Sequence, residues 1–253
     1  MAPLPPRLAP LTLWPLSQGE LASRRETFLD DLFSDALPPA PPGTGEDVVD
    51  RVLRGGYPEP AAGGVDPHRW FAAYVSTMLT REVRDLANID GLGVLPPLIE
   101  LLAARTASLL NSADLSRSTG IPHTSLRRYL ALFEAMFLIQ LVPAWTGNAG
   151  RRLAKMPKTM FLDPGLAAHL AAVDRTRLAS SPALLGPLLE NFAFAELAKQ
   201  ASWRARAVRF SHFRTHGGDE VDVVLESARR LVGVEVKATA TPTGDMFRGL
   251  RAL

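Results

Sequence analysis

Residues 218–240, GDEVDVVLESARRLVGVEVKATA, constrain the fold more than any other stretch of this chain. Val221, Val223 and Leu225 alternate with Glu220, Asp222 and Glu226, and Val232, Val234 and Val236 alternate with Gly233, Glu235 and Lys237. Successive side chains of a strand point to opposite faces. Period-two apolar residues on both sides of a short polar break therefore predict two half-buried strands joined as a hairpin. With the loop at SARR (227–230), Glu226 pairs with Leu231, and counting back sets Asp222 opposite Glu235 and Glu220 opposite Lys237.

Two carboxylates directly opposed in a sheet destabilise it by up to about 1 kcal/mol, and burial beside apolar neighbours disfavours their charged forms. A divalent cation reverses the sign of that interaction, so Asp222 and Glu235 are the expected ligands of a Mg²⁺ ion. Lys237 lies two residues past Glu235 on the same face and is the expected catalytic neighbour of a metal-bound water or a phosphate. The competing reading is a polar strand face turned to water, with Glu220 and Lys237 as a surface ion pair. The helix predicted over GPLLENFAFAELAKQ (186–200) offers a third acid, Glu190 or Glu196.

Residues 97–163 carry a second pattern. PLIELLAARTASLL reads as a helix, and SADLSRSTG as a short helix with Ser112 as N-cap and Gly120 just past its end. IPHTSLRRYLALFEAMFLI reads as a third helix, apolar at Leu126, Leu130, Phe133 and Phe137. A short helix, a glycine turn and a longer helix form a helix-turn-helix. The stretches LIQLVPAW and TMFLD, on either side of the basic loop TGNAGRRLAKMPK, add two strands and a wing. Arg127 and Arg128 on the third helix, and Arg151, Arg152, Lys155 and Lys158 in the wing, are the expected phosphate contacts of a DNA-binding winged helix. The alternative is a winged helix that serves only as a brace between domains, its arginines merely solvated. Upstream, the apolar residues of LTLWPLSQGEL are strand-like and lead to a helix cap at Ser17, and residues 67–89 read as one amphipathic helix.

The net charge is only +2, but residues 1–100 hold 8 basic and 14 acidic side chains while the remainder holds 20 basic and 12 acidic. A basic C-terminal portion points to a polyanionic partner, although 24 of the 28 basic residues are Arg, as compositional bias alone would produce. The absence of cysteine excludes disulfides and thiolate zinc sites. No Gly-x-Ser-x-Gly occurs, and no Lys follows a Gly, which excludes a P-loop. The N-terminus lacks the apolar core of a secretory signal, and the most apolar run, residues 129–142, contains Glu134 and Gln140 and is too short to span a bilayer. A cytoplasmic location with no membrane partner is expected.

The order of a helix with Glu, a strand, a strand with Asp, a strand with Glu-x-Lys and a further helix resembles the core of the PD-(D/E)xK nuclease superfamily. That resemblance implies Mg²⁺-dependent phosphodiester hydrolysis. It favours Glu190 over Glu196, because the family's helix motif often sets an apolar residue and Glu after a Gly, as in GPLLEN. Further stretches, among them LRGGYPEP, RLAKMPKTMFLDPGLAAHL and LLENFAFAEL, are similar to prokaryotic AAA-type ATP-binding proteins. In these an ATPase core precedes a domain of unknown function 4143, a winged helix joined to a nuclease-like fold. The resemblance implies an α+β chain in three parts. Residues 1–96 would be a remnant of the ATPase core and helical lid, 97–180 a winged helix, and 181–253 a nuclease-like domain that is C-terminally incomplete. The nucleotide site of such proteins lies upstream of LTLWPLSQGEL, so this chain is expected to be a portion lacking the Walker A region. The expected function is a nucleic-acid-associated module of an AAA-type ATPase with a Mg²⁺-dependent phosphodiesterase site. The alternative is a non-catalytic DNA-binding or inter-domain regulatory module with a relic acidic pocket.

Overall fold

Apolar residues at helical spacing upstream and at strand spacing downstream collect into two clusters, and these organise an α+β fold. The computed structural model describes residues 12–34, 47–82, 92–147, 155–215, 217–239 and 241–253. The N-terminal part is helical: α1 (Gln18–Leu21), α2 (Phe28–Leu32), α3 (Val48–Arg54), α4 (Pro58–Ala62) and α5 (Pro67–Thr77), the last continuing as a π-helical turn over Met78–Glu82. The remainder of the helix expected to residue 89 lies outside the described residues. Ser17 caps α1 in a reciprocal capping box with Glu20, as its position predicts, but the described residues before it, 12–16, form no strand.

Next come α6 (Leu95–Ala104), α7 (Ser112–Thr119) and α8 (His123–Ala135). The N-cap of α7 is Asn111 rather than Ser112: its side-chain carbonyl accepts from Asp114 N at 3.0 Å. Gly120 ends α7 at φ +70°, the left-handed conformation that glycine adopts without strain. Leu126, Tyr129, Leu130 and Phe133 of α8 are buried. Phe137, expected on the same stripe, lies beyond the helix end at φ +55° and is more than half exposed. Strands β1 (Ile139–Val142) and β2 (Lys158–Phe161) pair antiparallel, and the segment 107–110 adds backbone hydrogen bonds along the other edge of β2.

The chain continues through α9 (Pro164–Leu170), α10 (Arg175–Ser180) and the long α11 (Leu185–Ser202) to an antiparallel sheet. The sheet has β3 (Arg209–Arg214) and β5 (Arg230–Val234) flanking β4 (Glu220–Ser227), and α12 (Arg248–Ala252) closes the chain. Glu226 pairs with Leu231 as the alternation predicts. The ladder extends to Ser227–Arg230, so the loop has two residues rather than four, with Ala228 at φ +54°.

The strand β4 is central and buried on both faces, not half-buried. Phe194 and Leu197 of α11 pack with Val223 and Leu225, and α12 lies against it near Glu220. That approach requires Gly249: a Cβ there would stand 1.7 Å from Glu220 O. The ribbon and the sheet are joined edge to edge. His212 N donates to Pro143 O at 3.0 Å, and Trp145 N donates to His212 O at 2.6 Å. Ala107, Val142 and Met160 share the second apolar cluster with Phe194 and Val223, so the segments expected as separate domains meet across a common core. Among the described residues no helix is long and apolar enough to cross a membrane.

Candidate functional site

The acids of the hairpin do come together with an acid of α11, around a lysine from β2. The ladder between β3 and β4 sets Ser211 against Val224 and Phe213 against Val221, so that His212 alone faces both Asp222 and Val223. This β-bulge at Asp222 and Val223 takes Asp222 out of strict alternation, and bulges of this kind re-aim side chains. The Asp222 carboxylate thereby reaches the space beneath α11, where Glu190 also arrives. Glu190 is placed by its neighbour Asn191, which is fully buried. The Asn191 amide accepts from Phe161 N at 2.7 Å and from the Thr106 hydroxyl at 2.8 Å, and donates to Phe161 O at 3.0 Å. This clasp fixes α11 against β2, three residues from Lys158.

Lys158 was expected in the wing as a phosphate contact. It opens β2 instead, with Leu109 and Val142 as its backbone partners on either side, and is 1% exposed. A strand-bound lysine at that depth has no reach to a duplex. Its Nζ lies 2.8 Å from Glu190 Oε1, 2.8 Å from Glu220 Oε1 and 3.3 Å from Asp222 Oδ1. An ammonium has three N–H donors, and three carboxylates receive them. Burial alone would lower the Lys158 pKa, but the charges and hydrogen bonds of these acids outweigh it and hold the group above the ordinary lysine range.

The second lysine is nearer the surface. Lys237 Nζ is hydrogen-bonded to Glu235 Oε1 and stands 4.0 Å from Asp222 Oδ2. Its expected partner Glu220 goes elsewhere, to Lys158 and, at 3.5 Å, to Arg214. Asp222 Oδ2 accepts from Val236 N at 2.9 Å, which ties the chain just past β5 to β4. Glu196, the other helical candidate, takes no part. It pairs with Lys199 at 2.8 Å and accepts from Gln18 N at 2.8 Å, fixing the N-terminal segment to α11.

Four acids, Glu190, Glu220, Asp222 and Glu235, thus face two lysines, with Arg214 at one edge. The excess of negative charge in a poorly solvated place shows in its titration. Burial pushes Glu190 up to about 8, against the pull of Lys158 and with the help of Asp222. Burial also raises Glu235, whose Oε2 has no hydrogen-bond partner among the described residues, while Lys237 pulls the other way. Glu220 is more exposed, and the hydrogen bond and charge of Lys158 hold it below the usual carboxylate range despite partial burial. Beside the cluster His212 is kept neutral, lowered to about 4 by burial.

The residues do not fit a Mg²⁺ ion as placed. Mg²⁺ needs oxygen ligands at about 2.0–2.1 Å in a near-octahedral set, whereas an ammonium stands at the focus of these carboxylates. Among the described residues no three His, Asp or Glu side chains are arranged to share a metal ion. Asp222 and Glu235, the expected metal ligands, direct oxygens to lysines and to backbone N–H groups. Glu190 and Lys237, the expected catalytic pair, are likewise engaged in ion pairs.

Of the expected nucleic-acid contacts, Arg127 and Arg128 are exposed on α8 and Lys155 is exposed ahead of β2, while Arg151 and Arg152 lie outside the described residues. Sequence reasoning missed Lys158 and Asn191 as members of the site. The signal for Asn191 was its position directly after Glu190, while a lone lysine before an apolar strand carries no pattern that marks it as buried.

Residues 45–177, just over half of the chain, match a family described as Domain of unknown function (DUF8612). The chain belongs to this family. A second family, Domain of unknown function (DUF4143), matches residues 185–253, from α11 through the sheet to the last residue. The helices α6, α7 and α8 and the ribbon, which the sequence resemblance had joined to the second family, fall within the match to the first. Uncharacterized protein Mb2031c of Mycobacterium bovis and uncharacterized protein Rv2008c of Mycobacterium tuberculosis are each 32% identical over 204 residues, covering 79% of this chain and 45% of the relative. The chain spans less than half the length of these curated relatives. No solved structure matches it.

Proposed function

We propose that this chain is a non-catalytic, nucleic-acid-associated module of a longer AAA-type ATPase, in which a winged helix is locked onto a nuclease-like unit by a lysine. The winged helix is α6, α7 and α8 with the β1–β2 ribbon. The nuclease-like unit is α11 with β3, β4 and β5. The single observation that carries this reading is the position of Lys158 Nζ, within 2.8–3.3 Å of acids from α11 and β4 while its own backbone belongs to the ribbon. An acidic pocket that would otherwise repel itself is neutralised from the neighbouring unit, so the pocket serves as a socket. The exposed Arg127 and Arg128 at the start of α8 leave the helix-turn-helix face free to meet phosphates.

A cleavage assay tests the proposal. The chain is incubated with supercoiled plasmid and with single-stranded DNA in Mg²⁺ or Mn²⁺, beside Asp222→Ala. Equal background in both proteins is the expected result. Metal-dependent cleavage by the parent chain that Asp222→Ala abolishes would contradict a socket and return the pocket to hydrolysis.

A further inference from the structure

Away from the lysine socket, the C-terminal end of α11 and the β4–β5 turn form an arginine-rich trough with α2 and the chain around Arg24. Two adjoining hollows of about 620 Å³ and about 610 Å³ share Arg204 and Arg206 in their walls. Arg24 and Arg25 line the first and Arg229 and Arg230 the second. Arg204 is built into the floor: its Nε lies 2.6 Å from Asp30 Oδ1, and its guanidinium sits 4.6 Å over the Phe33 ring. The acids nearby are already engaged. Asp30 holds Arg204, Glu20 caps the first turn of α1, and Glu26 bonds Ser17 and Gln200. Arg24, Arg25, Arg206 and Arg229, by contrast, are exposed and form no ion pair among the described residues. Trp203, the residue after α11, is 50% exposed on the wall of the first hollow, beside these arginines.

We infer that this trough binds single-stranded nucleic acid, with the arginines along the phosphates and the Trp203 indole stacked on a base. Six arginines against Glu20, Glu26 and Asp30 leave the lining net positive over both hollows, which favours a polyanion over a single phosphate. A half-exposed indole beside a positive groove is the pairing that single strands use, because unstacked bases present their faces while a duplex hides them. The surface is also recessed, which suits a thin strand better than the convex wall of a duplex. The inference stands apart from the socket and from the α8 face, since neither contributes a residue to the trough.

Binding of the full chain to a labelled oligothymidylate of about a dozen nucleotides tests it, read by anisotropy and by quenching of tryptophan fluorescence. Four phosphate contacts to a single strand predict a slope of log K against log salt of about −3. The double variant Arg206→Glu, Arg229→Glu should bind at least about tenfold more weakly, with a salt slope near half that of the parent, as two lost contacts require. Arg206→Lys, Arg229→Lys should stay within a few-fold of the parent, and Trp203→Phe should lose most of the quenching. Arg127→Glu, Arg128→Glu separates the trough from the α8 face, and the loss of oligothymidylate affinity it causes should be smaller than that of the trough double variant. The inference is overturned by undetectable binding at about 50 mM salt, by equal competition from a duplex of the same length, or by affinity that follows Arg127 and Arg128 instead of the trough.

Discussion

Replacing Lys158 by methionine removes one ammonium and keeps most of the side-chain volume. At an effective dielectric constant of about 20, unit charges about 3 Å apart attract by roughly 5–6 kcal/mol. Lys158 makes such contacts with Glu220 and Asp222, partly offset by the mutual repulsion of these acids. Glu190, pushed up to about 8, is largely protonated at neutral pH and meets the ammonium as a neutral acid. Without the ammonium only the repulsion and the burial cost remain. Breaking a buried ion pair by removing one partner costs about 3–5 kcal/mol, and the 2% exposure of the Lys158 side chain places it in that class. For a chain of this size the melting temperature should fall by about 10 °C. The assay is urea unfolding of the parent, Lys158→Met, Glu190→Gln and the double variant at neutral pH. The double variant should be more stable than the two single losses summed, by about 1–3 kcal/mol. A loss below about 1 kcal/mol for Lys158→Met, the range of exposed pairs, would refute the claim that this lysine neutralises a desolvated cluster.

Glu190 also makes stability depend on pH. Its folded pKa, about 8, lies above its ordinary value of 4.5, so the folded state binds the extra proton between those limits and stability falls as pH rises through that window. Unfolding free energies from urea titrations at pH values across it should decline by up to about 1.4 kcal/mol per pH unit, and Glu190→Gln should flatten the decline; an unchanged slope in the variant would count against it. Asn191→Ala leaves Phe161 N and O and the Thr106 hydroxyl without their buried partner and should cost about 2–4 kcal/mol in the same unfolding assay. Gly249→Ala drives a Cβ into Glu220 O and should release α12 from β4, at a cost of about 1–3 kcal/mol and with faster amide exchange along β4. Unaltered exchange would show that the close approach is not tight.

The hairpin was legible because alternation and a short polar break leave few registers open, and the Glu226–Leu231 pair is the one that alternation selects. Two of its features were not. The turn is tighter than SARR implied because Ala228 accepts a positive φ that its sequence does not advertise. The bulge at Asp222 is invisible to a period-two reading, since it depends on where Phe213 and Ser211 lie across the ladder. Helix ends were legible where glycine demanded them, at Gly120, and missed by one residue where Asn111 and Ser112 are both good caps. The helix pattern left Glu190 and Glu196 both open and only the family resemblance favoured Glu190, which is the one that joins the cluster. Lys158 was misread because local charge density placed it with Arg151, Arg152 and Lys155, while its fate was decided by acids more than thirty residues away.

Metal titration of the parent chain and of Lys158→Ala tests the central claim most directly. If the ammonium takes the place of a divalent cation among Glu190, Glu220 and Asp222, calorimetry with Mn²⁺ should show no saturable heat for the parent. A single site should appear in Lys158→Ala, with a matching rise in melting temperature. Saturable binding by the parent that Asp222→Ala removes would contradict the account.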